Sequence, residues 1–152
     1  MTKRNRIGIV LALLALSLPA TLRAQGPFRL PGLDGGELTE ASLSQGAVIV
    51  VVWAGWSPRC RDIVARVNQL AGTWSGQARV VTINFQESAA DARSFLSGQR
   101  LSAAVFMDED GAFSKQNAVT TLPSLLVFRD GRNRYRGRLP DDPSQVITQA
   151  LR

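Results

Sequence analysis

Seven consecutive apolar residues, Ala47-Val48-Ile49-Val50-Val51-Val52-Trp53, stand out from the mixed pattern around them. A half-exposed strand alternates polar and apolar positions, so an unbroken run predicts a central strand covered on both faces, the habit of parallel sheets. The period then changes. Cys60, Ile63, Val64, Val67, Leu70, Ala71 and Trp74 recur at intervals of three and four, the apolar stripe of a helix, with Asp62 and Arg66 four apart as a surface pair. Upstream, residues 28–38 predict a hairpin turning at Asp34-Gly35, and residues 43–45 a helical turn closed by Gly46. Downstream, the pattern predicts a strand over 79–85, a helix over 89–97, a short extended segment over 103–107 and a short helix over 112–118. A hairpin of 124–129 with 133–139 around Asp130-Gly131 follows, then a final helix from Asp142-Pro143-Ser144 to Leu151. Strands alternating with helices and ending in a hairpin argue for an α/β sandwich.

The first residues change the picture of where the chain acts. Lys3, Arg4 and Arg6 precede an apolar stretch from Ile7 to Ala20, and Leu22-Arg23-Ala24 offers a small residue for cleavage. The stretch is shorter than the roughly 20 residues that span a bilayer, so residues 1–24 are expected to be a removable export signal. The domain is then expected over 25–152, in the periplasm, with membrane attachment only if the signal is kept as an anchor. Without Lys3, Arg4, Arg6 and Arg23, the 18 basic residues fall to 14 against 12 acidic ones. That balance is not the footprint of a nucleic-acid binder.

Histidine is absent and Cys60 is the only cysteine. A Cys/His zinc site and a histidine-based catalytic triad are therefore both excluded within one chain, and neither a metal nor a cofactor is expected. The candidate chemistry lies where the apolar run meets the helical stripe, in Trp53-Ala54-Gly55-Trp56-Ser57-Pro58-Arg59-Cys60. A Cys-x-x-Cys at a strand-to-helix junction marks a dithiol redox site, but here the first position is Ser57. An internal disulfide cycle is thus closed to these residues.

Several stretches, in this order and spacing, resemble the TlpA/ResA-like branch of the thioredoxin superfamily. They are Leu33-Asp34-Gly35, Trp53-Ala54-Gly55-Trp56, Asn84-Phe85-Gln86-Glu87-Ser88, Thr121-Leu122-Pro123-Ser124 and Phe128-Arg129-Asp130-Gly131-Arg132, while Phe106-Met107-Asp108-Glu109-Asp110-Gly111 resembles the branch's insertion before the cis-proline. The resemblance implies a thioredoxin-like sandwich with an N-terminal hairpin, a cis Leu122-Pro123 bond and exported thiol–disulfide oxidoreductase relatives. Three positions depart from it. Ser57 replaces the nucleophilic cysteine, Val51 stands where thioredoxins proper carry a buried acid, and Ile63 stands where this branch often has a glutamate.

Ser57 followed by Pro58 makes a favourable helix start, Ser as the cap and Pro at the first position. Cys60 reads two ways: as a small buried hydrophobe, or as a thiolate favoured by a helix N-terminus and flanking Arg59 and Arg61. Three functions follow. Trp56, Pro58, Leu122 and Pro123 form a groove for a client polypeptide; or Cys60 acts as a monothiol towards a client or small thiol; or Ser57-x-x-Cys60 serves a peroxiredoxin-like peroxidase. Arg132, Arg134, Arg136 and Arg138 alternate and are expected on one face of the last strand, guarding a sheet edge. Trp53 and Trp74 are expected in the core, and Trp56 at the groove surface.

Overall fold

The computed structural model describes residues 27–152. The proposed signal at 1–24 lies outside the described residues. A five-stranded sheet forms the centre, built from β3 (Ala47–Trp53), β4 (Arg79–Phe85), β5 (Ala104–Asp108), β6 (Ser124–Arg129) and β7 (Arg132–Arg138), in the order β5-β4-β3-β6-β7. β4 runs parallel to both β3 and β5, whereas β6 runs antiparallel to β3 and to β7. The apolar run is therefore the middle strand, and Val48 to Trp53 have no measurable exposure. Its even positions, Val48, Val50 and Val52, pack on one face with Val81, Ile83, Leu126 and Phe128. Its odd positions, Ile49, Val51 and Trp53, pack on the other.

That second face carries α2 (Ile63–Thr73), α3 (Ala89–Leu96) and α5 (Ser144–Ala150). Ile63, Val64, Val67, Leu70 and Trp74 are buried, as the stripe predicts. The first face carries the hairpin β1 (Arg29–Pro31) with β2 (Glu37–Thr39), then α1 (Glu40–Leu43) and α4 (Ala112–Gln116). Leu30 and Leu38, directly paired, and Leu43 close this layer.

The hairpin turn needs Gly32, because a Cβ there would lie 2.1 Å from the Gly35 carbonyl oxygen. The Leu33 amide donates to the Val105 carbonyl at 2.8 Å, so the turn leans on edge strand β5. Arg93 of α3 holds it there, with an ion pair to Asp34 at 2.9 Å and a bond to the Leu33 carbonyl.

Three expectations need correction. The helical turn lies at Glu40–Leu43, earlier than expected, because Thr39 and Ser42 cap it reciprocally at 3.2 Å. Asp62 and Arg66 do not pair. Arg66 turns across to the Leu139 and Pro140 carbonyls, at 3.1 and 2.7 Å, and lies 3.9 Å from Asp141. The four arginines of β7 do not share a face. A bulge opposite Val127/Phe128 leaves Arg134 without a partner position: Arg132 pairs with Arg129, while Arg136 and Arg138 pair with Leu126 and Ser124. Directly paired residues share a face, so Arg132 and the later two project oppositely.

Candidate functional site

The site forms where β3 ends. Ser57 donates its amide to the Ala54 carbonyl at 3.2 Å, and Cys60 donates its amide to the Ser57 carbonyl at 2.9 Å. Between them Pro58–Cys60 make a single 3₁₀ turn, and α2 begins only at Ile63. Pro58 suits the first position of that turn, its fixed φ needing no adjustment. Ser57 precedes it in extended conformation but makes no side-chain cap bond, contrary to the expected capping role. Ser57 is itself buried, beside Cys60.

Cys60 is fully buried in the cluster that contains Val51 and Ile63. Burial pushes its thiol above the ordinary value, outweighing bonds from the Ala54 backbone and the Ser57 side chain and the attraction of Arg66. Asp62 adds a further upward push. The nearby charges acting on the thiol are thus Arg66 and Asp62, not the flanking Arg59 and Arg61, which point to solvent. Val51 and Ile63 line the thiol's own cluster with apolar carbon.

The outer side of the turn is open. Trp56 is 59% exposed and is the one large hydrophobic residue exposed among the described residues. It borders a cleft of about 500 Å³ with Ser57, Pro58, Arg59, Phe85, Val119, Thr120, Thr121 and Leu122. The Trp56 and Phe85 rings lie 6.4 Å apart, so Phe85, at the end of β4, forms a wall for Trp56. Leu122-Pro123 is cis. Of the four groove residues expected from sequence, Trp56, Pro58 and Leu122 line the cleft. Pro123 does not: it is buried, its carbonyl taking the Leu139 amide at 3.0 Å. Among the described residues, no backbone bond engages Thr120 or Leu122, whereas Thr121 accepts from the Ser124 hydroxyl at 2.5 Å.

Glu87 is the residue that sequence reasoning passed over. Its carboxylate accepts the Gly55 amide at 2.7 Å and the Asn84 side-chain amide at 2.5 Å, fastening the turn after β3 to the loop after β4. Gly55 admits this approach because a Cβ there would meet both Glu87 Oε1 and the Phe95 ring at 3.0 Å. The available signal was Gly55 itself, a glycine between Trp53 and Trp56 with no turn in the pattern to require it. The described residues contain no group of three or more potential metal-ligating side chains, and none of their helices is long and apolar enough to cross a membrane.

Comparison with known proteins places this geometry. The AhpC/TSA family matches residues 23–135. The thiol:disulfide interchange protein DsbE of Escherichia coli K12 is 35% identical over 115 residues, 72% of this chain and 60% of its own length. Thioredoxin 1 of Synechococcus elongatus is 26% identical over 96 residues, 63% of this chain and 66% of its own length. The chain thus spans less than two thirds of the length of these curated relatives. A crystal structure described as a DsbE thiol:disulfide interchange protein of Chlorobium tepidum superposes with a TM-score of 0.71 at 25% identity, covering 83% of this chain and 94% of that one. StoA of Bacillus subtilis shares the fold, with a TM-score of 0.67 at 17% identity.

Proposed function

This chain belongs to the AhpC/TSA family, as a thioredoxin-like redoxin of the TlpA/ResA-like branch, and from that premise we propose that it binds extended polypeptide at the Trp56–Leu122 cleft without turning over a dithiol. One observation carries the proposal: the two sides of the Ser57–Cys60 turn differ completely in access, the thiol fully buried and Trp56 open beside a cleft. A redox nucleophile acts as the thiolate and must reach its target. Burial opposes both for Cys60, and Ser57 supplies no second sulfur. The cleft asks for less. An extended segment can pair with the free peptide groups of Thr120 and Leu122 while an apolar side chain rests between Trp56 and Phe85.

The same burial weighs against the monothiol role and, more heavily, against a peroxidase, which needs an activated and accessible thiolate. A client polypeptide is therefore the partner in this reading, with Cys60 a packing residue. Export follows from residues 1–24 and is checked by the mass of the mature protein, which should begin after Ala24 if the signal is cleaved.

The decisive experiment pairs the wild type with Ser57→Cys in an insulin-reduction assay. The wild type is expected to show no turnover and Ser57→Cys to gain it, which identifies a redoxin scaffold lacking its nucleophile. Turnover by the wild type through Cys60 would sink the binding-only reading. Titration with an unfolded, cysteine-free polypeptide should still show binding by the wild type and its loss in Trp56→Ala.

A further inference from the structure

We propose that the cleft selects acidic polypeptide, its carboxylates met by Arg59 on one wall and by Arg136 and Arg138 behind the other. The proposal rests on the polypeptide-binding reading above. Arg59 is the one charged side chain lining the cleft among the described residues, and it is exposed and takes part in no ion pair there. The opposite wall, residues 119–122, lies over the sheet face that holds Leu126 and Phe128. The β7 bulge sets Arg136 and Arg138 on that same face, paired with Leu126 and Ser124. Arg136 Nη1 reaches to 3.4 Å from the Asn117 carbonyl, two residues before Val119. Neither arginine is ion-paired among the described residues.

Among the described residues no carboxylate lines the cleft; the exposed Glu109 and Asp110 lie outside the lining, on the turn whose Gly111 stands against the Phe85 ring. Glu87 is close in sequence to Phe85 but is turned to the Gly55 amide and Asn84, outside the lining. Asp62 lies past Cys60, at the start of α2. A concave, partly apolar surface whose own lining carries one sign of charge focuses its potential on whatever enters it. An acidic segment is drawn in, a neutral one is indifferent, and a basic one is repelled. Polypeptide fits better than an anionic membrane because Thr120 and Leu122 present unpaired peptide groups, which an extended chain can satisfy and lipid cannot.

The test uses the whole chain and a pair of fluorescein-labelled peptides sharing the same Phe and Leu positions, one carrying Glu and the other Gln between them. Fluorescence anisotropy should give about tenfold tighter binding of the Glu peptide at low salt, a preference that fades as the screening length falls from ~10 Å at 0.1 M to ~3 Å at 1 M salt. Arg59→Gln, and separately Arg136→Gln with Arg138→Gln, should each remove roughly threefold of the preference, while Trp56→Ala weakens both peptides alike. All four positions are exposed, so their folding is not at issue. Equal affinity for the two peptides overturns the acidic selection and leaves the cleft reading standing. Binding of neither peptide overturns both. Co-sedimentation with phosphatidylglycerol vesicles, without binding of either peptide, assigns the arginines to a membrane and overturns this proposal.

Discussion

Trp53 and Trp56 stand three positions apart on either side of Gly55, yet one is entirely buried and the other more than half exposed. Trp53 faces the helical side with Phe95, at 5.2 Å between rings, in the same cluster as Cys60. Trp56 faces the cleft. The comparison extends to everything around each. On the inner side, Val51 and Ile63 share the buried cluster with the thiol, which is packed like any small core residue. On the outer side stand an apolar wall, peptide groups free among the described residues and a cation. A buried thiol and an open cleft sit on opposite sides of one turn, so one side can be filled in while the other stays open.

The sharpest way to break this comparison is to truncate each tryptophan. Trp53→Ala should destabilise the fold by about 3–5 kcal/mol in denaturant unfolding, since it empties the core beneath the turn. A smaller loss would mean that the inner side is less tightly packed than its burial indicates. Thiol access comes next. Native Cys60 should react with Ellman's reagent roughly a hundredfold or more slowly than the unfolded chain, because it must wait for an opening event. Equal rates would erase the contrast between the two sides.

Alkaline pH sharpens the same point. The buried thiol keeps its proton where the unfolded chain has released it, so stability falls as pH rises from the ordinary thiol range towards the folded value, and is unaffected below that range. Cys60→Ala should flatten that alkaline slope in unfolding curves taken across pH. Glu87→Gln should cost about 1–2 kcal/mol, since it replaces a charged acceptor for the Gly55 amide with a neutral one. Trp56→Ala should change stability least, within about 0.5 kcal/mol, while removing peptide binding. A large stability loss there would make Trp56 a structural residue.

The fold was legible wherever local pattern suffices. The unbroken run from Ala47 to Trp53 could only be a central strand, and the three-four stripe from Ile63 to Trp74 could only be a helix against it. What escaped depends on contacts distant in sequence. Arg66 leaves Asp62, four residues away, for carbonyls 73 and 74 positions further along the chain. The arginines of β7 alternate in sequence, but one bulged residue re-aims those that follow, and only the pairing with β6 reveals it. At the site, the turn from Ser57 to Cys60 was visible by its spacing. Its interruption before Ile63 was not, nor was Glu87's reach back to Gly55, 32 positions earlier. Trp56, Pro58 and Leu122 meet at one cleft because chain reversal brings both loops to the same end of the sheet. Pro123 stays out of it, because a residue can belong to such a loop and still point beneath it.

The hairpin that leans on β5 bears on how copies of this chain can meet. By occupying the Val105 carbonyl and bridging Gly32 to Phe106, it covers part of one border of the sheet and leaves β7 as the open border. Strand-by-strand growth into a filament needs two open borders on every subunit, and the hairpin narrows one of them. A chance pairing of two β7 strands would lay arginine against arginine.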